Sequence, residues 1–206
     1  MAKYKMVFVD VDTQADFMLP SGRLYVPGAE KIIPNLERLR EFAEEHGVPV
    51  ITSVDAHAMD APEFRQWPVH CVRATSGQLK VPESLLSRYM VVPQERLSPL
   101  TDEELFRYQQ WILEKDDLDM FTNPQADDLV RRLDAEQYVV YGVATEYCVR
   151  LAVLGLLKRK RPVTLLRDAI REIEADGGQK ALQEMEAGGA KLLNTEDVLA
   201  MVAAQR

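Results

Sequence analysis

Short apolar runs rich in β-branched residues alternate along this chain with segments whose apolar positions recur at helical spacing. Lys5 to Val11, Pro49 to Val54, Tyr89 to Val92, Trp111 to Glu114, Gln137 to Tyr141 and Val163 to Leu166 read as strands. Most are short and apolar, as strands covered on both faces are. Glu30 to Glu45 carries Ile32, Ile33, Leu36, Leu39 and Phe42 on one helical face and meets a stop at His46-Gly47. Asn123-Pro124 has the form of an N-cap followed by proline at the first helical position, opening a helix through Leu133. Further helices are expected after Cys148, Ala175 and Thr195. The alternation predicts βαβ units, hence a three-layer α/β/α fold around a central, mainly parallel six-stranded sheet with Rossmann-like topology. No repeat, linker or low-complexity tract divides the chain, so one domain over residues 1–206 is expected. Within it, Pro93 to Tyr108 contains Thr101-Asp102-Glu103-Glu104, a capping-box pattern that predicts a helical insert near 94–109.

Composition narrows the classes of function. Against 25 lysines and arginines stand 33 acidic residues, a formal net charge of -8, which argues against nucleic acid or an anionic membrane as a main partner. The basic run Lys158-Arg159-Lys160-Arg161 reads as the end of a helix, where cations meet the negative pole of the dipole. No apolar stretch is long enough to cross a bilayer, and no charged segment followed by an apolar one opens the chain. A cytoplasmic protein is the expectation, with Cys71 and Cys148 as free thiols, although counting alone leaves a disulfide between them open.

In an open parallel sheet the ligand crevice lies beyond the carboxyl ends of the strands. The first strand runs into Asp10-Val11-Asp12-Thr13-Gln14-Ala15-Asp16-Phe17, where a carboxylate on a rigid platform can act as general acid or base, or simply cap the strand. Tyr138 to Cys148 reads as strand, tight turn and helix start, placing Cys148 in a first helical turn. There the dipole and free N–H groups lower a thiol pKa and can hold an oxyanion. By residue type alone, a cysteine is as readily a small buried hydrophobe. Lys115, after Trp111-Ile112-Leu113-Glu114, is an ordinary solvated lysine unless a thiol stands beside it, whose thiolate it would stabilise. Asp55-Ala56-His57, with Glu63 and His70 further on, gathers ligands suited to zinc, manganese or iron, or else forms a polar loop. His46 reads as an ordinary helix C-terminal residue.

Together these four places resemble the isochorismatase-like cysteine hydrolase superfamily, and within it the nicotinamidase branch, over nearly the whole chain. Asp12-Thr13-Gln14-Ala15-Asp16-Phe17 is similar to the family's Asp-x-Gln-x-Asp-Phe motif, and Gly142-Val143-Ala144-Thr145-Glu146-Tyr147-Cys148-Val149 to its nucleophile motif. The resemblance implies Asp12 as general acid and base, Lys115 as the cation beside the thiolate and Cys148 as the nucleophile, with Asp10 as a near miss. It implies an oxyanion hole made by the N–H groups of Ala144 and Cys148, and a cis peptide between Val143 and Ala144. It further implies a divalent cation, zinc first and manganese or iron otherwise, on Asp55, His57, Glu63 and His70. Trp67-Pro68-Val69-His70-Cys71 is similar to the branch's Trp-Pro-x-His-Cys segment, and Glu63 stands where relatives carry His or Glu. Phe17, Trp67 and Phe121 are the expected substrate-binding residues.

The implied reaction is hydrolysis of a small carboxamide through a cysteine thioester, with nicotinamide converted to nicotinate and ammonia, a step of NAD salvage. The implied partner is thus a small-molecule amide, and the implied assembly a homo-oligomer. In nicotinamidases the lysine follows its strand more directly, so the segment from Pro93 to Tyr108 is a departure that bears on the pocket. Three other readings compete: an amidase or ureidohydrolase acting on another small amide or carbamoyl compound, a metallohydrolase in which Cys148 is a bystander, and a degenerate relative that only binds.

Overall fold

A computed structural model describes residues 3–203; the extreme ends of the expected 1–206 domain, residues 1–2 and 204–206, lie outside the described residues. The strands are β1 (Val7–Val11), β2 (Val50–Asp55), β3 (Tyr89–Val92), β4 (Gln110–Lys115), β5 (Tyr138–Val143), β6 (Val163–Arg171) and β7 (Lys191–Leu193). They form one seven-stranded sheet in the order β3-β4-β2-β1-β5-β6-β7, and each neighbouring pair is parallel. Every residue of β1, β2 and β5 is buried, which is why their sequences are apolar without alternation.

The expected sheet had six strands, and β7 is the addition. It is three residues long, partly exposed and paired with β6 through Thr164–Lys191 to Leu166–Leu193, too short to leave a pattern in the sequence. β6 also outruns its apolar stretch. It passes through exposed Arg167 and continues with buried Ala169 and Ile170 to Arg171, after a register shift opposite Val140 and Gly142.

The helices are α1 (Ala15–Met18), α2 (Ile33–His46), α3 (Asp102–Arg107), α4 (Ala126–Leu133), α5 (Arg150–Lys158), α6 (Ala175–Ala187) and α7 (Thr195–Ala203). None of the described helices is long and apolar enough to cross a membrane. Two apolar cores flank the sheet. Leu129 and Val130 of α4, Val153 and Leu156 of α5 and Met185 of α6 pack on one face. Leu36 and Leu39 of α2 and Val198 of α7 pack on the other. Gly47 ends α2 at φ 66°, the left-handed position that glycine adopts without strain.

α4 starts at Ala126 rather than at Pro124. Asn123 does not cap it: its side-chain oxygen accepts the Gln125 N–H at 2.9 Å, while its Nδ2 donates to Val92 O and Glu114 O at 3.1 and 2.8 Å. The amide therefore ties together the ends of β3 and β4. The crossover between those strands carries α3 with the expected capping box, Glu104 N–H to Thr101 Oγ1 at 3.1 Å and Thr101 N–H to Glu104 Oε2 at 2.7 Å.

β1 and β5 are neighbours, yet the chain leaves β1 for α2 on one face and β5 for α5 on the other. A crevice opens at the carboxyl ends of strands at such a switch point. The close approach depends on Gly142, where φ is 120° and a Cβ would lie 2.0 Å from the Val11 carbonyl oxygen.

Candidate active site

Asp12 leaves β1 at φ 51°, a left-handed conformation that aspartate tolerates better than most residues. Its buried carboxylate accepts the Ser53 hydroxyl at 2.7 Å on Oδ1, and its Oδ2 lies 2.9 Å from Lys115 Nζ. Lys115 closes β4 and is wholly buried, its ammonium held between Asp12 and Asp55 and 3.7 Å from Cys148 Sγ. A lysine on this sequence reads as solvated; the parallel pairing of β2 with β4, which sets Lys115 beside Asp55, buries it instead.

Cys148 sits in a π-helical turn, Thr145–Val149, that leads into α5. The N–H groups of Tyr147 and Val149 donate to Ala144 O at 3.1 and 3.2 Å, and the Val143–Ala144 peptide is cis. The expectation of a lowered thiol pKa is corrected here. Burial pushes the Cys148 thiol well above its ordinary value, and Lys115 offsets this only in part. Burial likewise raises Asp12 against the pull of Lys115, whereas Lys115 is raised because Asp12 and Asp55 together outweigh its burial. The site therefore rests with a thiol, a carboxyl of more than usual proton affinity and a fixed cation, a set suited to making a thiolate when a proton is taken away.

A second cluster adjoins it through Asp55. His57 Nε2 and His70 Nε2 lie 3.5 and 3.6 Å from Asp55 Oδ2, and 3.6 and 3.7 Å from the two oxygens of Glu63. His70 Nδ1 is 2.7 Å from Pro68 O, so that nitrogen carries the proton and Nε2 is left with its lone pair toward the carboxylates. Both ring nitrogens of His57 are buried without a hydrogen-bond partner. Imidazole lone pairs converging with two carboxylates, one of them otherwise orphaned, fit a divalent cation such as zinc, manganese or iron. Burial works against ionising Asp55, yet the Lys115 ammonium beside it holds its carboxyl well below the usual range.

Both clusters open into one narrow, largely apolar cleft, which Asp12 and Cys148 line together with Asp55, Glu63 and His70. Of the expected substrate-binding residues, Phe17 and Trp67 line it and Phe121 does not. Phe121 lies under the Arg159 guanidinium, 3.5 Å from it, and Gly155 leaves room for the ring. Leu24, Val26, Leu118, Tyr147 and Ile173 add to the wall, with Tyr147 set edge-on to Trp67 at 5.4 Å between ring centroids. None of these five was expected at the site: Tyr147 stands beside Cys148 in the nucleophile turn, whereas Leu24 and Val26, Leu118 and Ile173 come from the loops after α1, β4 and β6.

The other motif residues brace the site. Gln14 clasps the end of β2, accepting Asp55 N–H at 2.7 Å and donating to Asp55 O at 2.9 Å. Asp16 accepts Cys71 N–H at 2.7 Å and so fixes the residue beside His70. Asp10 is taken up by a buried ion pair with Lys80 at 2.7 Å and by the Thr13 hydroxyl at 2.8 Å. Cys71 and Cys148 are both free, and burial pushes the Cys71 thiol up.

A parallel three-layer α/β fold with a buried cysteine, lysine and aspartate at its switch point defines a small-molecule hydrolase. The isochorismatase domain model matches residues 6–197, and the chain belongs to the isochorismatase family. Its similarities run to the nicotinamidase branch. It is 27% identical over 208 residues to the nicotinamidase of Escherichia coli (strain K12), across 91% of this chain and 93% of the relative. It is 26% identical over 199 residues to the nicotinamidase of Saccharomyces cerevisiae, across 81% and 88%. The crystal structure of the pyrazinamidase of Pyrococcus horikoshii in complex with zinc matches with a TM-score of 0.75 at 30% identity, covering 92% of this chain and 99% of that one.

Proposed function

We propose that this protein hydrolyses a small, uncharged aromatic carboxamide, nicotinamide to nicotinate and ammonia, through a thioester on Cys148. The observation that carries the reading is the position of Lys115 Nζ, 2.9 Å from Asp12 Oδ2 and 3.7 Å from Cys148 Sγ, buried behind a cleft that Asp12 and Cys148 line together with Asp55, Glu63 and His70. Asp12 takes the thiol proton, and Lys115 lowers the cost of the thiolate formed. Sγ adds to the amide carbon while the Ala144 and Cys148 N–H groups receive the oxyanion. Asp12 returns its proton to the departing nitrogen, ammonia leaves and a thioester remains. Asp12, again a carboxylate, then takes a proton from water as the water oxygen adds to the thioester carbon. The C–S bond breaks, the acid leaves and the thiol is restored.

A divalent cation on Asp55, His57, Glu63 and His70 supplies, when bound, a Lewis-acidic contact for a lone pair on the substrate ring. Phe17, Trp67 and Tyr147 form the walls against which a flat ring fits. No arginine or lysine is among the described residues that line the cleft, whereas Asp12, Asp55 and Glu63 are. The test is ammonia release from nicotinamide by wild type and Cys148→Ala, with zinc, manganese or iron added. Release by wild type and none by the variant is expected. Turnover retained after alkylation of Cys148 would instead favour metal-activated water with the thiol as a bystander.

A further inference from the structure

The nucleophile turn carries a carboxylate that the reaction does not use. Glu146, two residues before Cys148, directs its side chain across to the loop between β6 and α6. Its Oε1 accepts the N–H of Ile173 at 2.9 Å and that of Glu174 at 2.8 Å, and its Oε2 is buried without a hydrogen-bond partner. These donors lie immediately before α6, whose N-cap residue, Glu174, makes no side-chain cap of its own. Glu146 therefore ties the entrance of that helix to another element, with its carboxylate near the positive end of the helix dipole. Ile173 is part of the cleft wall, alongside Tyr147 and Cys148, and also packs on the core beneath α2.

We propose that Glu146 is a positioning residue that sets the width of the cleft by fixing Ile173 to the nucleophile turn. Two N–H groups on one oxygen determine both the distance and the direction of the loop, so the wall and the nucleophile move as one piece. An apolar wall one methyl group out of place changes discrimination between ring sizes by about tenfold or more. As a statement about substrate rings this rests on the amidase reading above; as a statement about the clamp it stands on the geometry alone.

Three variants test it: Glu146→Ala, Glu146→Gln, which keeps an oxygen able to accept both N–H groups, and Ile173→Ala, which trims the wall and leaves the clamp. Amide hydrogen exchange at 173 and 174 is expected to quicken by at least about tenfold in Glu146→Ala and to stay within about threefold of wild type in Glu146→Gln. With nicotinamide, Glu146→Ala is expected to raise KM about tenfold with kcat altered less than about threefold, and Glu146→Gln to restore it. The kcat/KM ratio of nicotinamide to 5-methylnicotinamide should fall in Glu146→Ala and Ile173→Ala alike. Unchanged exchange in Glu146→Ala overturns the clamp. Faster exchange with an unchanged substrate ratio in both alanine variants overturns its role in cleft width. If wild type fails to hydrolyse nicotinamide, the amidase reading fails separately, and cleft width is read from the rates at which iodoacetamide and N-phenylmaleimide alkylate Cys148. The bulkier reagent gaining on the smaller in the alanine variants supports the proposal, and an unchanged ratio overturns it.

Discussion

Asp55 and Lys115 meet at the carboxyl ends of adjacent strands, and the Asp55 carboxylate is divided between two clusters: Oδ1 pairs with the Lys115 ammonium, while Oδ2 faces His57 and His70. With Asp12 on its other side, Lys115 is the cation that allows two buried carboxylates to share one site. Removing it leaves both anions facing each other without water, and breaking a buried pair in this way costs about 3 to 5 kcal/mol. In metal-free protein, Lys115→Met is therefore expected to lose about that much stability in urea titration, and Lys115→Met with Asp12→Asn to recover most of it. Neither variant is expected to release ammonia. Equal stability of the single and double variants would show that Lys115 does not hold this charge balance.

The same division of Asp55 predicts the behaviour of the cation cluster. Protein loaded with zinc is expected to hold about one equivalent by elemental analysis, and His57→Ala or His70→Ala to hold almost none. Glu63 has 19% of its side chain exposed and approaches from a loop, so Glu63→Gln is expected to weaken retention by about 10- to 100-fold without abolishing it. A hundredfold excess of free zinc over its dissociation constant stabilises the native state by about 2.7 kcal/mol. In a chain of this size that raises Tm by about 5 to 10 °C, and a chelator should reverse it. A Tm indifferent to zinc in wild type would remove the cluster from consideration as a cation site.

Six of the seven strands and all four chemical places could be read from the sequence because each rests on a local pattern: an apolar run ending in carboxylates, a strand and turn ending in cysteine, a lysine closing a strand, an Asp-x-His pair. What could not be read depends on segments far apart in the chain. The burial of Lys115 needs β4 beside β2, and the pairing of Asp10 with Lys80 spans a separation of 70 residues. Ile173, at the cleft wall, is tied by its N–H to Glu146, 27 residues earlier in the chain. Phe121, expected at the substrate, is faced toward α5 by the short 3-10 turn Met120–Thr122, and Leu118 lines the cleft. The thiol pKa departs from the sequence expectation for a related reason: position in a helical turn is local, whereas desolvation is set by the whole fold.

Two glycines with positive φ separate steric need from backbone preference. At Gly142 an added Cβ would lie 2.0 Å from the Val11 carbonyl oxygen, whereas at Gly47 it would meet nothing within 4 Å. Gly47→Ala should thus cost only the left-handed penalty, about 1 kcal/mol. Gly142→Ala must also push β5 away from β1 and is expected to cost at least about 3 kcal/mol. Because that displacement separates Asp12 from Cys148, activity should fall further than the folded fraction does. Similar unfolding midpoints for the two variants would contradict the tight β1–β5 contact.

The α3 crossover carries a pH-dependent contribution whose sign is fixed by its geometry. Arg96 pairs with both oxygens of Glu104 at 2.8 Å, and with the Thr101 N–H this holds the Glu104 carboxyl down to about 2. A free glutamate titrates near 4.3. The folded value is the lower one, so the stabilisation is present in full above about pH 5 and is lost as pH falls through the interval toward 2. Glu104 lies near the surface, and a cap with a solvent-screened pair is worth about 1 kcal/mol. Glu104→Gln is therefore expected to be about 1 kcal/mol less stable than wild type at pH 7, with the gap shrinking steadily below pH 4.5. Urea titrations of both proteins at pH 7, 4 and 3 measure the gap directly. A gap that is constant over that range would assign the loss to the shape of the side chain rather than to its charge.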